Sequence, residues 1–179
     1  MAATIKHFPG HGSVRADTHL EPAIDRRALD EIRRDDMLPF VDAIAAGAEA
    51  VMMGHVTYPA VDALPAGYSR VWVQDILRGE FGFGGVVFSD DISMAAAESA
   101  GGIGARIAAH RDAGCDIVLV CKPEIAPEAL AACRDAGPCD LAAIEALRGR
   151  VAPTWQNLVD NPHRAHCAAL LTALESIPA

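Results

Sequence analysis

Residues 86–91 read Val-Val-Phe-Ser-Asp-Asp, a short apolar run that ends in two carboxylates. Glycines 82, 84 and 85 lie just before it and make a turn. An apolar run without polar alternation suits a strand covered on both faces, as in a parallel sheet. Two further stretches share the pattern. Ala50-Val51-Met52-Met53-Gly54 ends at His55, and Asp116-Ile117-Val118-Leu119-Val120-Cys121 ends at Lys122. Residues 1–8 are short and apolar and read as the end of another strand, carrying Lys6 and His7.

Helical signals fill the spaces between these runs. One helix is expected over 25–46, with Asp25 as N-cap and Asp30 and Glu31 in the first turn, where the helix dipole favours negative charge. Leu29, Ile32, Phe40, Val41 and Ile44 keep helical spacing, with Asp36 as a polar break and a kink expected at Pro39. Ser69 can cap a helix to Arg78, and Gly114 closes one that ends at Ala113. Helices are also expected near 127–135, 141–148 and 163–174. Strand and helix thus alternate four times, with strands near 2–7, 50–55, 86–90 and 116–121. Right-handed crossovers make such strands parallel and bring their C-terminal ends to one edge, where α/β folds bind ligands. That edge collects Lys6, His7, His55, Asp90, Asp91 and Lys122.

Composition narrows the partners. A net charge of −9 argues against a nucleic-acid partner, which needs basic patches. No apolar run reaches the ~18 residues of a membrane span. The N-terminus lacks the basic-then-apolar order of a secretory signal, so export is not expected. The cysteines at 115, 121, 133, 139 and 167 are widely spaced and odd in number, which suits reduced thiols. Cys133 and Cys139 form no tight metal-binding pair.

The chemistry concentrates in Lys6–His19, which reads Lys-His-Phe-Pro-Gly-His-Gly-Ser-Val-Arg-Ala-Asp-Thr-His. Two glycines and a proline make this a loop that carries reactive side chains. His19 can give and take a proton near neutrality, and Asp17 two residues back can fix its tautomer if the chain turns between them. The alternative is a solvated loop histidine. Of Asp90 and Asp91, adjacent side chains on a strand point apart, so one faces the pocket and the other can cap the next helix. Lys6 and His7 can donate to the hydroxyls or amide of a ligand, whereas His11 can be structural. A zinc or iron site from His7, His11, His19 and Asp90 is a further alternative, although their spacing matches no ligand motif. The Gly-Phe-Gly-Gly at 82–85 precedes a strand, so it is no phosphate cradle.

Lys-His-Phe-Pro-Gly-His-Gly, then Asp-Thr-His, then Phe-Ser-Asp-Asp-Ile-Ser-Met resembles the bacterial β-N-acetylhexosaminidases of glycoside hydrolase family 3. The likeness extends through Asp36-Met37, His55 and Asp-Ala-Gly-Cys-Asp at 112–116, and covers roughly residues 1–135. It implies a cytoplasmic β/α-barrel enzyme, without a cofactor, that removes terminal β-linked N-acetylglucosamine from muropeptides or chito-oligosaccharides during peptidoglycan recycling. It implies Asp90 as nucleophile, His19 as acid/base with Asp17 as its partner, and Lys6 and His7 as sugar-binding groups. Residue 18 is threonine where the family often has serine. Phosphate in place of water as the second acceptor, and a remnant that only binds sugar, are the alternatives. A complete barrel takes roughly 250 residues and eight strands. The expectation is therefore an α/β fold that is half of a TIM-type barrel over 1–150. A helical tail over 151–179 is expected to pack on it. A missing N-terminal half or self-association would complete the barrel.

Overall fold

The computed structural model describes residues 2–134, 140–149 and 153–175. The chain divides into two compact units, residues 2–148 and 149–179. The strands of the first unit are β1 (Thr4–Phe8), β2 (Ala23–Ile24), β3 (Ala50–Met53), β4 (Val56–Thr57), β5 (Val86–Asp91) and β6 (Ile117–Leu119). Its helices are α1 (Leu29–Arg34), α2 (Leu38–Ala45), α3 (Ile103–Ala113), α4 (Ala126–Cys133) and α5 (Leu141–Ala146). A π-helix spans Val71–Glu80, and a 3-10 helix spans Ala95–Ala100.

Four strands form one parallel sheet in the order β1-β3-β5-β6, with helices between them. This is the α/β architecture of a partial β/α barrel. Strands β2 and β4 form a separate parallel pair, too short to be seen as apolar runs.

The expected helix over 25–46 is two helices. The first ends at Arg34, and the second starts at Leu38 with Pro39 in its first turn. Proline is tolerated there because that N–H has no partner inside the helix anyway, so Pro39 starts a helix instead of kinking one. Asp25 is not an N-cap. Its carboxylate binds the Arg27 side chain and backbone, and Ala28 takes the cap position. The helix expected after Ser69 is the π-helix, and Ser69 Oγ accepts from Trp72 N at 3.3 Å at its start.

Within the first unit, the described helices cover only one face of the sheet. Val51 and Val87 on that face are fully buried and pack with Trp72, Leu77 and Ile32. Phe8 at the end of β1 meets Phe40, Trp72 and Phe81 edge to face, with centroids at 5.3, 6.3 and 6.0 Å. Each such large side chain contributes about 1.5–3 kcal/mol by leaving water. A second cluster, Ile92, Ile103, Ile107 and Ala129, packs α3 and α4 against Val118 and Val120. The opposite face is open. Lys6, Met52 and Phe88 stand in register across it. With Thr4 and Leu119 they line a cavity of about 280 Å³, and Met52 and Phe88 are only half-buried. The expectation of strands covered on both faces therefore fails on this side.

In the second unit, α6 (Trp155–Val159) is capped by Thr154, whose Oγ1 accepts from Asn157 N. It is followed by α7 (Pro162–Glu175), where the sequence suggests a helix over 163–174. Cys133 is exposed, and Cys139 lies outside the described residues.

Candidate active site

The polar residues gather at the C-terminal edge of the sheet. Asp90, near the end of β5, places Oδ2 3.7 Å from His7 Nε2 at the end of β1. Asp90 Oδ1 accepts the Asp91 backbone N–H at 2.8 Å. Ser89 Oγ donates to the Asp90 carbonyl at 2.6 Å. The Asp90 carboxylate is therefore held on one oxygen and presented on the other.

Asp91 has a different task. Its carboxylate accepts from Ser93 N and Cys121 N, each at 3.0 Å, and from Ser93 Oγ. Burial favours the neutral acid, but these bonds win and hold the carboxyl below its ordinary range. Of the two adjacent carboxylates, Asp91 ties the turn after β5 to the chain just beyond β6, and Asp90 faces His7. Lys122, the last of the polar strand ends, is exposed, and the bond to Asp91 comes from its neighbour Cys121.

The Lys6–His19 loop starts at two cis peptide bonds, Lys6–His7 and Phe8–Pro9. Gly10 has φ +133°, and a Cβ there would lie 2.4 Å from Asp36 Cβ, so the loop passes too close to Asp36 for any larger residue. The Gly10 carbonyl accepts from the buried Tyr58 hydroxyl, and Ser13 Oγ donates to Asp36 at 3.1 Å. His11 spends Nε2 on the Ala16 carbonyl at 3.0 Å and is structural. Further on, the chain turns as Leu20 N and Glu21 N donate to Asp17 O. This turn lets Asp17 Oδ1 accept both the His19 backbone N–H at 2.9 Å and His19 Nδ1–H at 2.8 Å. Those bonds, backbone first, lower the Asp17 carboxyl below its usual value. The His19 tautomer is thereby set, and Nε2 is left for a ligand. His19 is largely exposed, but Thr18 beside it is buried. The Thr18 and His19 carbonyls accept from Ala96 N and Ala95 N at 3.2 and 3.5 Å. The loop is thus docked on the 3-10 helix that comes after the Asp90 strand.

His7 lies among Asp90, Lys6, His11 and His19. Burial lowers its affinity for a proton, and the Asp90 charge opposes that without cancelling it. Lys6 is exposed and lines the open inner face of the sheet. With His7, Gly10, His11, Asp36 and Phe40 it also lines a cavity of about 500 Å³. Among the described residues, no group of three or more His, Cys, Asp or Glu side chains is arranged to hold a metal ion.

Two parts of the site's support are not evident from the sequence. The first is an ion cluster in which Arg27 Nη2 meets Asp25 Oδ2 at 2.6 Å and Asp36 Oδ2 at 2.7 Å, with both carboxylates almost fully buried. Against burial, the Arg27 bonds hold the Asp25 carboxyl below its usual range. Asp36 gives the only hint, as the polar break in an apolar helix face. The second is a group of buried rings, His55, His110 and Tyr68, behind the end of β5.

The chain matches the glycosyl hydrolase family 3 N terminal domain over residues 1–153. A "Beta-hexosaminidase" of Stenotrophomonas maltophilia (strain R551-3) is 62% identical over 159 residues, covering 89% of this chain and 47% of that protein. A "Beta-hexosaminidase" of Xanthomonas oryzae pv. oryzae (strain MAFF 311018) is 53% identical over 173 residues, covering 93% and 52%. The crystal structure of native NagZ from Neisseria gonorrhoeae superposes with a TM-score of 0.82 at 37% identity, covering 99% of this chain and 51% of that one. The chain spans about half the length of the curated relatives it matches. Its sequence and its fold agree, and the chain belongs to glycosyl hydrolase family 3.

Proposed function

We propose that this fold serves a retaining β-N-acetylhexosaminidase that removes terminal β-linked N-acetylglucosamine from muropeptides in the cytoplasm. The observation that carries the reading is the pairing of a presented Asp90 carboxylate with a His19–Asp17 pair on a loop docked just beyond the same strand. Relatives named Beta-hexosaminidase support it, as does a NagZ structure in complex with N-trifluoroacetyl-D-glucosamine.

In this reading Asp90 Oδ2 attacks the anomeric carbon and the glycosidic C–O bond breaks. The leaving oxygen takes the proton from His19 Nε2. Water then gives a proton to neutral His19, and its oxygen bonds the anomeric carbon, which frees Asp90. A histidine repels the Asp90 charge less than a second carboxylate would. Asp17 keeps the ring in the tautomer that works through Nε2. Lys6 and His7 donate to the sugar.

The open inner face, and the outer edges of β1 and β6, which pair with no other strand among the described residues, call for a second β/α half. A longer chain or a second copy would supply it. The test is turnover of a chromogenic β-N-acetylglucosaminide by the chain alone and mixed with the complementary half of a Stenotrophomonas relative. Turnover in the mixture, lost in Asp90→Ala, is expected. No turnover in either preparation would overturn the reading. The product's anomeric configuration tests retention, and sugar phosphate formed in phosphate buffer would show phosphorolysis.

A further inference from the structure

Behind the end of β5 three buried rings form a triangle in which each touches the other two, with His55 and Tyr68 5.8 Å apart between centroids. Tyr68 lies 4.4 Å from His110 between centroids, and His110 lies 5.3 Å from His55. Each ring sends its polar hydrogen to a different backbone carbonyl. Tyr68 donates to Ala97 O at 2.8 Å, His110 Nδ1–H to Gly67 O at 2.8 Å, and His55 Nε2–H to Asp91 O at 3.2 Å. The backbone continues the connection. Gly67 N donates to Gly54 O at 3.0 Å, and Gly54 N donates to Phe8 O at 2.8 Å. The ends of β1, β3 and β5 are thereby joined through one set of rings and peptides. The cluster is tightly packed, since a Cβ on Gly67 would lie 2.7 Å from His110 Cε1.

We propose that His55 is the positioning residue of the Asp90 strand end: it acts as a neutral imidazole, backed by His110 and Tyr68, that fixes the Asp91 backbone by donating to its carbonyl. The proposal deepens the reading of Asp90 as nucleophile and rests on it. Asp91 N–H holds Asp90 Oδ1, so a displacement of Asp91 is passed to the carboxylate. A carbonyl accepts only, which assigns the His55 proton to Nε2 and the His110 proton to Nδ1. His55 Nδ1 and His110 Nε2 are then bare lone pairs, and both are buried without a partner among the described residues. Protonating either ring would create a buried cationic N–H with no acceptor, which is far costlier than an unused lone pair. Burial accordingly lowers the proton affinity of His55 and takes the pKa of His110 to about 3. The charged or titratable groups around the three rings are Asp90, Asp91, His7, Cys115 and Arg106. The cluster is inert to protons beside a site whose work is proton transfer.

Two measurements on the whole chain test this without requiring turnover. Histidine ¹⁵N spectra from about pH 8 to about pH 5 should show two rings that never charge. They should be an Nε2–H ring lost in His55→Gln and an Nδ1–H ring lost in His110→Asn. A charged His55, or one protonated at Nδ1, would overturn the proposal. The second measurement compares His55→Gln, whose amide can still reach Asp91 O, with His55→Phe, which keeps a ring against His110 and Tyr68 but not the donor. Exchange of the Asp91 amide hydrogen should quicken about tenfold in the Phe variant, the equivalent of one lost hydrogen bond, and stay near wild type in the Gln variant. In the completed enzyme the Phe variant should lose kcat with little change in KM, and Gln should restore it. A Phe variant equal to wild type in amide exchange would mean the ring only fills space. If no preparation turns over substrate, the enzyme reading fails while the spectra and exchange still decide the role of His55.

Discussion

His19 Nδ1 and the Asp17 carboxylate meet at 2.8 Å across a single intervening residue, and the same carboxylate oxygen accepts the His19 backbone N–H. The pair is thus assembled locally by its own turn, and docking of Thr18 onto the 3-10 helix then carries it as one piece. His19→Ala removes the ring's bond but keeps the backbone N–H, the larger cause of the lowering, so the Asp17 carboxyl should rise while staying below the ordinary carboxylate range. Carboxyl ¹³C titration of the chain reads this directly. An unchanged Asp17 midpoint would show that the pair does not form in solution. In the completed enzyme Asp17→Asn should cost roughly 10²–10⁴ in kcat, the scale of general acid–base catalysis and of a lost tautomer lock.

The two neighbouring carboxylates should separate in their effects. Asp91→Ala removes an acceptor from Ser93 and Cys121 and should cost about 1–3 kcal/mol in urea denaturation. Asp90→Asn should leave the urea midpoint nearly unchanged while abolishing turnover. The folded Asp91 carboxyl titrates below its unfolded value, so its stabilisation is present above the ordinary carboxylate range. It is lost as pH falls through the folded pKa.

His110 makes stability depend on pH at higher values. Its folded pKa, about 3, lies below the unfolded 6.5, so between these limits the unfolded chain binds the extra proton. Stability should therefore fall on acidification below 6.5, by about 1.4 kcal/mol per pH unit for a fully neutral buried ring. His110→Asn keeps a donor for Gly67 O and cannot titrate in this range. It should have lower stability but a shallower slope of urea midpoint against pH.

Arg27→Met should be among the most damaging single changes. It leaves the Asp25 and Asp36 carboxylates buried without their cation, at a cost of about 3–5 kcal/mol. Asp36 also holds Ser13, so the loop should be released, and limited proteolysis should cut within residues 10–20 sooner than in wild type. Cleavage as slow as in wild type would show that the ion cluster does not anchor the loop.

The sheet is legible in the sequence because β3, the start of β5 and β6 are continuous apolar runs, each bounded by polar or glycine residues. The segment 25–46 is not, because Pro39 and Asp36 permit either a kinked helix or a break. What decides between them is Arg27, which draws Asp25 and Asp36 together across the end of α1. Adjacency alone says that Asp90 and Asp91 point apart, but not which one faces His7. Ser93 and Cys121 settle that by claiming Asp91. His55 is visible as a polar strand end. Its partner His110 lies 55 residues further on, and no local pattern announces a contact over that distance.

In the main sheet every strand pairs only with its predecessor or successor there: β1 with β3, β3 with β5, and β5 with β6. A chain leaving the ribosome can therefore lay each strand on an edge already formed, without threading a later strand between two earlier ones. Lys6, His7, His55 and Asp90 would emerge in the order in which they line the edge. The Asp90 strand would arrive against β3 with His55 already synthesised, whereas His110 would close the ring cluster only after α3 is complete.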